Sequence, residues 1–106
     1  MNIRFNYLYR DAGNYKTYGS VVFLNPNKLA VGEIEPALRS KLIDEVFFDP
    51  KTLGVPALRH SEFTYSSEMD HSWNEFESLE ETDEDAVDNR RIDELLLVAK
   101  HITLNR

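Results

Sequence analysis

The chain has 106 residues, no cysteine and a formal net charge of −7, which fits one domain held by apolar packing and excludes a disulfide or thiolate-metal framework. The charge is uneven: residues 1–59 carry eight Lys or Arg against six Asp or Glu, residues 60–89 carry none against eleven, and residues 90–106 carry four against two. That acidic block repels nucleic acid and anionic membranes, and with no apolar run approaching the ~20 residues of a spanning helix and no signal-peptide pattern, a cytoplasmic location is expected.

Residues 2–10 alternate, with Ile3, Phe5, Tyr7 and Tyr9 on one face and Arg4, Asn6, Leu8 and Arg10 on the other, the period of a half-buried strand. Asp11-Ala12-Gly13-Asn14 is a turn signal, and the β-rich run from Tyr15 to Leu24 completes a hairpin. Gly19 inside that run predicts a bulge or a close approach to the backbone. Asn25-Pro26-Asn27 then stops the ladder.

Between about Glu33 and Val46, Ile34, Leu38, Leu42 and Val46 recur every four residues, with Ala37 and Ile43 beside them, so the spacing predicts an amphipathic helix. Pro36 places its start near Glu33, because proline is tolerated only in the first turn. Phe47 and Phe48 read as core plugs at the helix exit, and Asp49-Pro50 and Gly54-Val55-Pro56 punctuate a loop. Residues 60–66 alternate as a strand, and residues 71–80 read as its hairpin partner. Glu80 to Asn89 is acidic with nothing to bury, which predicts a flexible acidic loop around 80–90. Ile92, Leu95, Leu96, Ala99 and Ile102 mark a terminal helix capped by Asp88 or Asn89.

The expected architecture is therefore one α+β domain over residues 1–106: a two-layer fold in ββαββα order, with an antiparallel four-stranded sheet and both helices on one face.

Two clusters are candidate sites. At the hairpin turn, Tyr9, Arg10, Asp11, Asn14 and Lys16 bring donors and aromatic faces together in a pattern suited to an anionic or planar ligand. Along the acidic block, Trp73, Glu75, Glu77, Glu80, Glu81, Asp83, Glu84 and Asp85 make a partner-binding candidate, with Trp73 as an anchor. The competing reading buries Trp73 and Phe76 in the core.

Asp70, Ser72, Asn74, Ser78 and Glu81 have the oxygen spacing of an EF-hand, but Glu75 stands where that loop needs glycine. His60, His71 and His101 have no metal-ligand spacing, and no nucleophile elbow or phosphate loop is present. No catalytic residue, metal or cofactor is expected.

The run Tyr7-x-Tyr9-Arg10-Asp11-Ala12-Gly13-Asn14-Tyr15-Lys16, with Phe23, Asn25-Pro26 and later Asp70-His71-x-Trp73-x-Glu75-Phe76, resembles a small family of uncharacterised bacterial proteins. The resemblance spans most of the first 80 residues and implies a bacterial cytosolic origin, with no activity, cofactor or partner attached.

The leading expectation is a non-catalytic protein-interaction module, accessory or immunity-type, presenting an acidic surface to a basic partner. Its basis is negative potential concentrated over one region. The alternatives are a small ligand-binding protein or enzyme using the Arg10, Asp11, Asn14 and Lys16 cluster, and an acidic mimic of nucleic acid. Exposure of Leu8, Tyr18, Val22 and Leu24 on the second sheet face would favour a homodimer.

Overall fold

The structure is a computed structural model that describes residues 1–10, 13–58, 73–86 and 89–104, with side chains described as far as Ala99. Strand β1 (Asn2–Arg10) pairs antiparallel with β2 (Lys16–Phe23) in an unbroken register from Ile3↔Phe23 to Arg10↔Lys16. On its other side β1 pairs antiparallel with β4 (Asn74–Thr82), and the two-residue β3 (Phe47–Phe48) adds to the start of β4, giving the order β2-β1-β4-β3. Three helices complete the described elements: α1 (Val31–Arg39), α2 (Pro50–Leu53) and α3 (Ile92–Leu104).

The alternation of β1 decides where the core lies. Ile3, Phe5 and Tyr7 are buried on one face with Val21 and Phe23 of β2 and Phe76 and Leu79 of β4, and all three helices contribute to that cluster through Ile34, Leu38, Leu53, Ile92, Leu95 and Ala99. Phe5 sits at its centre, with ring centroids of Tyr7, Phe48 and Phe76 at 5.3, 5.6 and 5.3 Å from its own. The opposite face carries Arg4, Asn6 and Arg10. Of the apolar residues expected there, Leu8 and Val22 are buried, Leu24 is half-buried and Tyr18 is 59% exposed.

Several expectations are corrected. The described element order is ββαβαβα, with Phe47–Phe48 as a strand and α2 as a helix, neither of which was expected. The 60–66 strand lies outside the described residues. Helix α1 starts at Val31 and ends at Arg39, so Pro36 lies inside it and not in its first turn. The chain beyond it turns through Asp44 and Glu45, both at positive φ, into β3. Leu42 stays buried through that turn, which is why a four-residue apolar spacing continues past the end of the helix. Residues 80–82, read as loop, are the end of β4.

Gly19 is a close approach and not a bulge: a Cβ there would stand 2.8 Å from Leu58 Cδ2. The bulge is in β4 instead. The register passes from Asn6↔Ser78 to Tyr7↔Phe76 and leaves Glu77 unopposed. At α3 the residue that precedes the helix is Arg91 and not Asn89, and Asp88 lies outside the described residues. The Arg91 N–H donates to Glu94 Oε1 at 2.8 Å, so a glutamate in the first turn reaches back to the residue before the helix.

Candidate functional site

The hairpin cluster separates into an ion pair and an exposed turn. Strand pairing sets Leu8 opposite Glu75, and from the next open-face position Arg10 donates from Nε and Nη2 to the two Glu75 oxygens at 2.8 and 3.2 Å. Its Nη1 donates to Asn14 Oδ1 at 2.7 Å, and Asn14 takes the left-handed conformation at φ 67° that this side chain tolerates. The fork-to-fork contact raises the Arg10 pKa above its ordinary value, chiefly through the Glu75 hydrogen bond. Tyr9 is buried, while Asn14 and Lys16 are exposed. Asp11 lies outside the described residues. Arg10 is thus already held by a carboxylate, which is the charge an anionic ligand would have to replace.

On the same sheet face, the acidic block is organised by a second arginine. Arg4 lies opposite Glu80 in the register, and its guanidinium bridges Glu80 and Glu84. Asn6 donates to Glu80 Oε1 and to Ser78 Oγ, both at 3.2 Å. Asn2 Nδ2 donates to the Glu84 carbonyl at 2.8 Å, and the Glu84 N–H donates to Thr82 Oγ1 at 3.1 Å. Glu80 is held below the usual glutamate range, first by the Asn6 hydrogen bond and then by Arg4. The Arg4 pKa is raised in turn, by Glu84 and then Glu80.

These contacts divide the acidic candidates. Glu75 is paired with Arg10, while Glu80 and Glu84 share the single charge of Arg4. Glu81, Asp83 and Asp85 are exposed, with no cationic partner among the described residues. Glu77 is also exposed, although its carbonyl accepts from Arg39 Nη2 at 2.9 Å. The negative potential expected over one region is therefore partly offset by Arg4 and Arg10, and Glu77, Glu81, Asp83 and Asp85 are its exposed carboxylates without a cationic partner among the described residues.

Trp73 and Phe76 part company: Phe76 is core, whereas Trp73, just before β4, is 39% exposed. From Asn74 to Thr82 the would-be EF-hand loop is extended strand, which spreads its oxygens instead of gathering them. His60 and His71 lie outside the described residues, as does the His101 side chain. Among the described residues no three His, Cys, Asp or Glu side chains converge as metal ligands, and no helix is long and apolar enough to cross a membrane.

Sequence reasoning misses Asn2 and Arg4, which build the acidic turn. The alternation of β1 puts Arg4 on the polar face, but which strand lies beside it, and in which register, is a long-range property. No protein family, no curated protein and no solved structure matches the chain.

Proposed function

We propose that this chain is a non-catalytic interaction module of accessory or immunity type, a two-layer α+β body whose acidic tip engages the basic surface of a protein partner. The observation that carries this reading is the division of the tip into two sets of carboxylates. Glu80 and Glu84 are tied to Arg4, and Glu81, Asp83 and Asp85 stand exposed without a cation among the described residues. The tied set holds the turn in one conformation, so the exposed set meets a partner with little ordering left to do. Electrostatic complementarity of this kind mainly accelerates encounter and selects the partner.

The probe is a fluorescent oligolysine peptide. It should bind at low ionic strength and weaken as salt rises, because exposed charges are screened over roughly 8–10 Å in physiological buffers. Combining Glu81→Gln, Asp83→Asn and Asp85→Asn should abolish binding. The same loss of three charges at Glu33, Asp44 and Glu45, exposed elsewhere on the molecule, should leave most of it. Equal loss in both variants would reduce the effect to net charge and sink the proposal.

The hairpin reading has less support, since an incoming anion competes with Glu75 for Arg10. It would be favoured by a ligand whose binding is strengthened by Glu75→Gln.

A further inference from the structure

The two edges of the sheet are finished differently. From Phe76 to Leu79, outward main-chain groups of β4 are taken: Phe76 N–H donates to the Val46 carbonyl at 2.8 Å, the Glu77 carbonyl accepts from Arg39, and Leu79 N–H donates to Glu35 Oε1 at 2.9 Å. Side chains and a loop thus close that edge to strand addition, as edge strands require.

At β2 the outward groups can be assigned from hydrogen-bond phase. Because Leu79 N–H points away from β1, its partner Phe5 directs its own main-chain groups to β2, and Val21 answers them. Lys16, Tyr18, Ser20 and Val22 then face outward. Leu24, next in that series, confirms the phase: its N–H donates to the Arg90 carbonyl and its carbonyl accepts from Ile92 N–H, both at 2.8 Å. From Lys16 to Ser20, no main-chain hydrogen bond reaches this outer edge among the described residues.

We infer that the outer edge of β2 pairs antiparallel with the same edge of a second copy, joining two sheets into one across a two-fold axis at Tyr18. The phase allows this register, since residues with outward groups oppose one another: Tyr18 faces Tyr18, and Lys16 faces Ser20. Charge favours a second copy here over other parts of the molecule. In a chain of net charge −7, the stretch from Asn14 to Leu24 contains no carboxylate, and the two-fold keeps the lysines at opposite ends. The 59% exposed Tyr18 gains an aromatic cross-strand neighbour. The paired stretch is five residues per chain, ending short of Leu24 where residues 90–92 already lie, so the dimer is a weak one. It does not rest on the acidic tip, which belongs to β4 and the turn after it.

The test is mass by light scattering or sedimentation of the full chain, from dilute to near-millimolar concentration. The expected result is a rise from one chain mass to twice that value. Tyr18→Lys sets like charges face to face at the axis and should hold the mass at one chain throughout, with an unchanged circular dichroism spectrum. If that variant fails to fold, Ser20→Pro serves instead, because it removes an N–H that β1 does not use. A wild-type chain that stays monomeric across the range overturns the inference, as does a dimer that persists in a folded variant.

Discussion

Arg39 in the last turn of α1 donates to the carbonyl of Glu77, the unopposed residue of the β4 bulge, at 2.9 Å. The same guanidinium donates to the Glu45 carbonyl at 2.8 Å and lies 4.6 Å from the Phe76 ring centroid. One side chain therefore closes the turn after α1, supplies a donor that the bulge carbonyl would lack, and covers an aromatic core residue. Arg39→Lys keeps the charge but cannot reach two carbonyls in a plane. It should lower stability by about 1–2 kcal/mol, read as an earlier urea midpoint with an unchanged slope. An unaltered midpoint would mean that water replaces the guanidinium without cost.

Tyr7 is buried in the core, and its hydroxyl donates to the Pro56 carbonyl at 2.6 Å, tying the central strand to the loop after α2. Burial pushes its pKa up to about 12. A raised pKa means that the folded state holds the proton more tightly. The contribution is complete below the ordinary tyrosine value of about 10 and is lost as pH rises from there towards 12. Ultraviolet titration should show one tyrosine ionising last, together with unfolding. Tyr7→Phe should cost about 1–2 kcal/mol at neutral pH, because the Pro56 carbonyl loses its donor, and should flatten the alkaline loss of stability.

The acid side has the opposite sign. Glu80 and Asp93 are held below the usual carboxylate range, Glu80 by Asn6 and then Arg4, Asp93 chiefly by Arg91. Depressed values favour the folded state above the ordinary carboxylate range, and this advantage disappears as pH falls through the folded values. Arg4→Gln should move the Glu80 titration upward in carboxylate NMR. The shift should be partial, because the larger Asn6 contribution remains. The same variant should broaden resonances of residues 82–85 at neutral pH, since their anchor to β1 is gone. If those resonances stay sharp, Asn2 and Thr82 suffice to order the turn.

What the sequence makes legible here is local. Ile3, Phe5 and Tyr7 alternate with Arg4 and Asn6 in adjacent positions, so β1 and its buried face follow from period alone, and Ile92, Leu95 and Ala99 do the same for α3. Leu42 marks where this reasoning fails: its spacing from Leu38 suits a helix, yet a turn through Asp44 and Glu45 buries it equally well. The tip at residues 80–85 is hidden for a different reason. Its order comes from Arg4, some 80 positions away in sequence, and composition registers only an acidic run. Phe47–Phe48 becomes a strand because Glu75 and Asn74 lie beside it, which two phenylalanines cannot announce by themselves.

Helix α2 shows how short an element local chemistry can define, and Gly54 is its testable point. Asp49 caps the start by accepting from Lys51 N–H at 3.0 Å, Pro50 follows at the first helical position, and Gly54 ends the helix in the left-handed conformation at φ 71°. That conformation costs an L-residue about 1 kcal/mol relative to glycine. A Cβ at this position would also stand 2.9 Å from Arg90 Nη1. Arg90 has little freedom to retreat, since it donates to the Leu53 and Gly54 carbonyls at 2.8 and 2.7 Å and lies over the Phe23 ring. Gly54→Ala should therefore destabilise the fold by about 1–2 kcal/mol, the backbone cost plus part of the Arg90 contacts. Gly54→Ala in an Arg90→Ala background separates the two: there the glycine substitution should cost only the backbone share. Equal costs in both backgrounds would show that Arg90 accommodates the methyl group freely, leaving the left-handed turn as the whole effect.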